Sequence, residues 1–229
     1  MKQSKVLTEA QVLKIRSSWN PDKVVATNKF LRDLSHTTYK EAVDMFEKRT
    51  IEWYFDVADY LDKSEKPGAN FTVTILCCIL LDLLSQYASG LPSSSKAVFK
   101  DFFRNNFGSM NKKIKPPIKT CYYDDRKSWV GIAIKDIADG LYHCFRSSIL
   151  HCGRILEYGR INSRYPEEVI KVLKWNNGRE INFNPSAFLK KLRKVFENYI
   201  TKLKDEDPNL KAKFIDKIKW EYGVVLKDV

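Results

Sequence analysis

Apolar residues recur at helical spacing over most of this chain, with charged residues between them. From Tyr39 to Leu61 they come every three or four positions, which predicts one long amphipathic helix. Lys66-Pro67-Gly68 is expected to end it, since proline and glycine interrupt helices. Residues 71–89 are apolar almost throughout and predict a helix buried on all sides. The pattern therefore indicates a mainly α-helical fold.

Start and stop signals predict the remaining helices. A capping residue directly before proline, as in Asn20-Pro21, Asn184-Pro185 and Asp207-Pro208, is typical of a helix N-terminus. The other expected elements are a short basic and aromatic helix at 97–107, a lysine-rich loop at 108–120, and an apolar helix at 128–152 that follows Asp124-Asp125 as its N-cap region and closes at Gly153.

Residues 169–183, VIKVLKWNNGREINF, follow a different pattern. Apolar and polar residues alternate on both sides of Asn176-Asn177-Gly178. Alternation is typical of strands and Asn-Gly of a tight turn, so this segment predicts a small C-terminal β-hairpin. No long linker divides the chain, and we therefore expect residues 1–229 to form a single domain.

The apolar segment at 71–90 is the one stretch that resembles a membrane span. Its strongly apolar part covers about 14 residues and is interrupted by polar side chains, whereas a span needs about 20. We therefore expect a core helix and no membrane association. The N-terminal sequence MKQSKVLTEA lacks the apolar region of a secretory signal, which predicts a cytoplasmic protein.

Charge is distributed unevenly. The formal net charge is +12, yet residues 1–95 hold 12 Lys/Arg and 12 Asp/Glu, while residues 96–229 hold 28 and 16. The second half therefore carries the whole excess, which favours a polyanionic partner, nucleic acid before membrane. A basic face that serves only solubility is the alternative.

The five cysteines predict neither a disulfide framework nor a zinc site. Their number is odd, and no CxxC pair occurs. The chain also lacks a P-loop, a glycine-rich dinucleotide turn, HExxH and GxSxG. We expect no metal and no cofactor.

The stretch LYHCFRSSILHCGRI, residues 141–155, concentrates polar groups in an otherwise apolar helix. A buried arginine is expensive unless it is paired, so Arg146 requires a partner. Asp82, the one acid in the predicted core helix, is the natural candidate. One interpretation is therefore structural: an Arg146–Asp82 pair, with His151 capping the helix C-terminus.

The other interpretation is catalytic. A histidine acts as general acid or base near neutral pH, and an arginine stabilises charge on phosphate oxygens. Together Arg146 and His151 suffice for attack of a ribose 2′-hydroxyl on the neighbouring phosphodiester, which only RNA provides.

The spacing of this pair limits its geometry. Five residues along an ideal helix correspond to about 140° of rotation, so the two side chains do not share a face. Either the helix ends before His151, or two subunits pool their residues across a two-fold axis. His143 precedes Arg146 by three positions; it either joins the site or packs at its rim.

This helix resembles the R-x4-6-H signature helix of HEPN domains. The apolar segment and the phenylalanine-rich FKDFFRNNF before it, and the predicted hairpin and helix after it, are also similar to HEPN proteins over roughly 40–205. The residues that match the signature are Tyr142, Phe145, Arg146, Ser147, Ile149, Leu150 and His151.

The resemblance implies an all-α HEPN-like bundle that dimerises and forms a metal-independent ribonuclease site. Arg146 would orient and stabilise the phosphate, and His151 would carry the proton transfers. Such proteins often act in toxin–antitoxin or phage-defence systems, so an antitoxin or other regulatory partner is expected beside RNA and a second copy. The supporting residues would be Ser147, Asp82, His143 and Tyr142, and the expected RNA-binding residues are Lys112, Lys113, Lys115 and Arg154.

Two other functions fit the same features. Some HEPN domains are non-catalytic modules that bind RNA or protein, and Ser147 stands where the family favours Asn, Asp or His. A purely structural subunit with a solvated basic face is the third hypothesis.

Overall fold

The computed structural model describes residues 37–64, 66–123, 129–163, 168–175, 178–222 and 225–229. The helix predicted from Asn20-Pro21, the Asp124-Asp125 pair and the Asn176-Asn177 turn lie outside these residues. Within them, helices predominate and are joined by small sheets, in agreement with the mainly α prediction.

The first described helix is interrupted once. Helix α1 (Tyr39–Thr50) begins at Thr38, whose side chain and Glu41 form a reciprocal capping box. The helix widens into a π-helical stretch at Ile51–Phe55 and continues as α2 (Asp56–Asp62). The predicted amphipathic helix is thus present, with a local change of pitch in its middle.

Helix α3 (Ala69–Ser89) occupies the centre of the fold. It contacts α2, α4 (Lys96–Asn106), α7 (Pro185–Lys204) and α8 (Pro208–Tyr222). The signals predicted for the last two helices are confirmed. The Asn184 side chain accepts a hydrogen bond from the Ala187 amide, and that of Asp207 accepts one from the Leu210 amide.

The predicted loop at 108–120 is wrong. After a short 3₁₀ turn at Gly108–Met110, strand β1 (Lys113–Tyr123) pairs antiparallel with β2 (Trp129–Asp136). Pro116 and Pro117 suggested a loop, but each strand of a two-stranded sheet is an edge strand and tolerates proline. The register is irregular between Lys113 and Ile118, where the two prolines lie.

The predicted helix at 128–152 is also wrong in its first third. Residues 129–136 form β2, in which burial alternates from Gly131 to Lys135 with Ile134 fully buried. The helix begins only after Asp136, whose side chain accepts a hydrogen bond from the Asp139 amide. Asp136 is therefore the N-cap, the role that the sequence pattern assigned to Asp124-Asp125.

The C-terminal strands belong to a larger sheet than a hairpin. Strands β4 (Ile170–Trp175) and β5 (Gly178–Phe183) pair antiparallel. Strand β3 (Gly159–Ile161) adds to the other edge of β5 in parallel, which gives the order β3-β5-β4. The predicted two-stranded unit is thus part of a three-stranded sheet.

Aromatic side chains fill the core between the helices. The Phe46 ring lies 4.3 Å from that of Tyr87 and 5.6 Å from that of Phe214, measured between ring centroids. Phe196 lies 6.2 Å from Phe46 on the same scale. These four residues connect α1, α3, α7 and α8, so the N-terminal and C-terminal helices share one core.

Within the described residues, α3 alone is long and apolar enough to cross a membrane. Half of its most apolar window is buried among the other elements of the fold. This burial is what a core helix requires.

A close approach at Gly159 gives a first prediction. A Cβ atom there would lie 2.6 Å from Ile155 Cγ2 and 3.0 Å from Cys144 Cβ. We expect Gly159→Ala to lower the free energy of unfolding by about 1–3 kcal/mol, because overpacking displaces these neighbours. Urea denaturation measures this change in the free energy of unfolding. Gly131→Ala is the control, since its Cβ would meet nothing within 4 Å, and equal losses in both variants would contradict the argument.

Candidate functional site

The motif helix spans residues 137–152 and changes pitch along its length. It starts as the short helix α5 (Ile137–Gly140), continues as a π-helix at Leu141–Ser147 and ends as helix α6 (Ser148–Cys152). The Ser148 hydroxyl donates to the Cys144 carbonyl. Gly153 terminates the helix with a φ of +64° and donates its amide to the Ile149 carbonyl.

Arg146 is held against the central helix by Asp82. Its Nε donates to Asp82 Oδ1 at 3.3 Å and its Nη2 donates to Asp82 Oδ2 at 3.1 Å. Both side chains are largely withdrawn from solvent, with 14% and 15% exposed. The predicted ion pair is therefore present, and its two-point geometry fixes the plane of the guanidinium group.

Tyr142 and Ser147 flank this arginine in different ways. The guanidinium carbon of Arg146 lies 5.5 Å from the centre of the Tyr142 ring, within cation–π range. Ser147 is half-buried, and its hydroxyl makes no hydrogen bond within the described part of the chain. Tyr142 thus supports the orientation of Arg146 directly, whereas Ser147 does not.

His151 lies on the last turn of the same helix, five positions after Arg146. It is exposed, as is Leu150 beside it, 43% of which is accessible. The helix continues to Cys152, so the possibility that it ends before His151 is wrong. No hydrogen bond joins the two motif residues within one chain, and the alternative that remains for a shared site is a second copy.

His143 belongs to a separate cluster of charges. It is buried, with 7% exposed, near Lys96 and Lys100 of α4 and near Asp139 one turn earlier. Lys100 forms an ion pair with Asp139, whose other oxygen accepts the Lys135 amide at 3.1 Å. Burial and the two lysines lower the pKa of His143 to about 4, although Asp139 opposes the shift. His143 is therefore neutral and faces this cluster rather than Arg146.

The basic residues predicted to bind RNA divide into two groups. Lys112 and Lys113 line a groove of about 770 Å³ together with Lys171 of β4 and Lys191 and Lys194 of α7. Lys115 and Arg154 are exposed but do not line it. The pattern of the sequence did not reveal the last three lysines of the groove, although the spacing of Lys191 and Lys194 already placed them on one helix face.

Cysteines and carboxylates do not assemble into a metal cage in the part of the chain that the structure describes. No group of three or more His, Cys, Asp or Glu side chains there is arranged to hold a metal ion. All five cysteines are free thiols. Burial raises the pKa of Cys78 and of Cys144 to about 12, so both remain protonated.

No family model, no curated protein and no solved structure matches this chain.

The Asp82–Arg146 pair gives a second prediction. Asp82→Asn leaves a mostly buried guanidinium group beside a neutral acceptor, and we expect a loss of about 1–3 kcal/mol in the free energy of unfolding. A double-mutant cycle with Arg146→Gln should give a coupling of about 1–2 kcal/mol by urea denaturation. The exposed Lys48–Glu52 pair is the control, where less than about 0.5 kcal/mol is expected. Equal coupling in both pairs would show that Asp82 is not the principal partner of Arg146.

The low pKa of His143 gives a third prediction. The unfolded chain binds a proton at this residue below about pH 6.5 and the folded chain only below about pH 4, so acid favours unfolding between these values. Stability is full above pH 6.5 and falls as the pH drops towards 4. Between pH 7 and 5 the wild type should lose about 1–2 kcal/mol more than His143→Gln, measured by urea denaturation at each pH. The pKa of Asp139 is lowered by Lys100, so its own contribution is lost below this window.

Proposed function

We propose that this chain is a metal-independent endoribonuclease of the HEPN type that works as a homodimer. Each site would combine Arg146 of one subunit with His151 of the other. One observation carries the proposal: the helix that bears both residues holds Arg146 against α3 through Asp82 and leaves His151 exposed at its end. Within one chain no hydrogen bond joins the two side chains, and in the proposed dimer a two-fold pairing of this helix would supply each histidine with the arginine of the partner.

Arg146 retains the capacity to bind phosphate while it is paired. A guanidinium group has five N–H donors, and Asp82 takes two of them, one from Nε and one from Nη2. The others remain for non-bridging phosphate oxygens. Because Asp82 and the Tyr142 ring fix the group, it needs little reorganisation when negative charge develops in the transition state.

His151 would carry the proton transfers. Its imidazole takes the proton of the ribose 2′-hydroxyl as the 2′-oxygen attacks the adjacent phosphorus. The new O2′–P bond forms and the P–O5′ bond breaks, and the proton, after exchange with water, ends on the 5′-oxygen. The products are a 2′,3′-cyclic phosphate and a free 5′-hydroxyl.

The resemblance to HEPN proteins extends the proposal to a biological setting. Toxins of toxin–antitoxin pairs and phage-defence ribonucleases of this type act on cellular or phage RNA and are held in check by a partner. We therefore propose RNA as substrate, a second copy as obligate partner, and an antitoxin-like regulator. The net charge of +12 supports an RNA ligand.

A binding module without catalysis is the second candidate, and one observation favours it. The charge of Arg146 is balanced by Asp82 at 3.1 Å, which weakens the field that the arginine exerts on a phosphate. In that case the chain would bind RNA with a steep salt dependence and leave it intact.

RNA cleavage in the presence of EDTA separates the two candidates. We expect the wild type to produce 2′,3′-cyclic phosphate ends, His151→Ala to reduce the rate by at least about 100-fold, and Arg146→Lys to reduce it by about 100-fold. Arg146→Lys keeps a cation beside Asp82 and so preserves the fold. Cleavage that survives both substitutions, or that EDTA abolishes, would disprove the proposal. RNA binding without cleavage would favour the binding module.

Mixing the two inactive variants tests the shared site. Half of the dimers formed by statistical mixing of His151→Ala and Arg146→Lys contain one of each chain, and each of these has one intact pair. About a quarter of the wild-type rate should therefore return after co-refolding. A site contained within one chain would give no recovery, since neither variant holds both residues.

A further inference from the structure

A lysine-lined groove runs along one side of the molecule, distant in sequence from Arg146. It has a volume of about 770 Å³ and lies between the start of β1 with the segment before it, strand β4 and helix α7. Its lysines come from all three elements: Lys112 and Lys113, Lys171, and Lys191 with Lys194. Because the fold brings together residues from three separate stretches, the groove is a product of tertiary structure rather than of one basic segment.

The positive charge of this groove is largely unbalanced. Of the described residues that line it, Glu168 alone is acidic, and it forms an ion pair with Lys171 at 2.8 Å. The other four lysines are exposed and make no ion pair with any carboxylate that the structure describes. Their mutual repulsion is relieved by an anion that spans the groove, which makes the groove a binding site for a polyanion.

The floor of the groove is apolar. Met110, Ile170, Val172 and Val195 are partly buried and line it between the exposed lysines. Asn106 and Asn198 add amide groups at the same surface. Cationic side chains over an apolar floor suit a single-stranded nucleic acid. Its phosphates contact the lysines, and its bases and sugars pack against the apolar side chains away from solvent.

The groove is tied to the motif helix. The Ile137 amide donates to the Lys112 carbonyl at 3.2 Å, and the Ala138 amide donates to the Asn111 side chain at 3.0 Å. Ile137 itself lines the groove. The position of Lys112 and Lys113 is therefore fixed relative to the first turn of the helix that carries Arg146 and His151.

We propose that this groove binds the phosphodiester backbone of single-stranded RNA. The proposal rests on the proposed function only for the identity of the ligand, and it holds whether or not the RNA is cleaved. Lysines act as point charges that bind phosphates in many orientations. The groove therefore recognises a single-stranded, negatively charged backbone and does not distinguish base sequences. An acidic peptide matches the charge but lacks the regular phosphate spacing and the flat bases that an apolar floor accommodates.

The test is the binding of a fluorescein-labelled oligouridylate of roughly 20 nucleotides, followed by fluorescence anisotropy in EDTA. All proteins carry His151→Ala, so that binding is measured without cleavage. Lys191→Gln with Lys194→Gln should raise Kd about tenfold and reduce the slope of log K against log salt by about 1.4 between about 50 and 200 mM salt. These side chains are exposed, so the fold is preserved.

The matched control removes the same charge elsewhere. Lys202→Gln with Lys219→Gln changes two exposed lysines of α7 and α8 that do not line the groove. Kd should stay within about twofold of the parent. If both double variants weaken binding equally, or if neither does, the groove is not the RNA site.

Further comparisons separate this proposal from the proposed function. Cleavage by the wild type combined with unchanged binding in the groove variant overturns the groove and leaves the nuclease standing. Groove-dependent binding without cleavage supports the groove and overturns the nuclease. If a polyglutamate peptide of equal charge displaces the oligouridylate at equal or lower concentration, the groove serves an acidic protein instead. Absence of RNA binding by the parent protein overturns both.

Discussion

The burial of α3 is the constraint on which the rest of this structure depends. A helix of 21 residues with apolar side chains around most of its circumference requires cover on every side. Helices α2, α4, α7 and α8 supply it together with the π-helical part of the motif helix. This helix carries a single carboxylate, Asp82, and a carboxylate within such a packed environment is stable only beside a cation. Arg146 meets that requirement, so the central helix determines where the motif helix docks.

The strands around the motif helix hold it in that position. Gly140 packs closely against β5: a Cβ there would lie 2.1 Å from Ile181 Cδ1, so Ile181 would have to shift. At the other end, the Leu156 amide donates to the Cys144 carbonyl at 3.0 Å, which folds the chain back along the helix towards β3. The π-helical stretch adds a residue to each turn between these two anchors. Because both ends of the segment are fixed, Arg146 meets Asp82 of α3, and the Tyr142 ring lies 5.6 Å from that of Phe99 in α4.

The predictions from sequence succeeded where a structure depends on neighbouring residues alone. They failed where it depends on pairing between two distant segments. Helix caps at Asn184 and Asp207 depend on neighbours three residues away and were predicted correctly. Residues 113–120 and 129–136 were predicted wrongly, because Pro116-Pro117 is typical of a loop and the isoleucines of β2 fit a helix as well as a strand. Pairing between β1 and β2 makes both segments strands, and this pairing cannot be deduced from either segment alone.

The contacts of the candidate site could likewise be predicted only where the sequence left a single choice of partner. The pairing of Asp82 with Arg146 could be predicted because the core helix contains one acid, and an arginine in an apolar helix needs one. In an ideal helix Arg146 and His151 do not share a face, but the π-helical stretch that carries Arg146 could not be deduced from the sequence pattern. The cluster of Lys100, Asp139 and His143 was missed, since α4 and the motif helix offer more than one lysine and more than one acid, and only their packing selects Lys100 with Asp139. Lys171, Lys191 and Lys194 were missed for the same reason, whereas Lys112 and Lys113 belong to a segment that is lysine-rich in the sequence. The three segments form one basic surface only when the chain folds.

The charge of Arg146 is neutralised by an ion pair, whereas four of the groove lysines have no carboxylate partner among the described residues. This difference follows from how exposed each side chain is. Arg146 is largely withdrawn from solvent, where a lone charge is costly, and its pairing with Asp82 weakens its attraction for a distant polyanion. Lys112, Lys113, Lys191 and Lys194 are exposed, so water and salt reduce the penalty of leaving them unpaired. The two proposals therefore assign the long-range attraction of RNA to the surface lysines, and leave contact with the bound phosphate to the motif residues. In the proposed mechanism, substrate affinity therefore depends on salt, whereas the orientation of the phosphate depends on the Asp82 carboxylate.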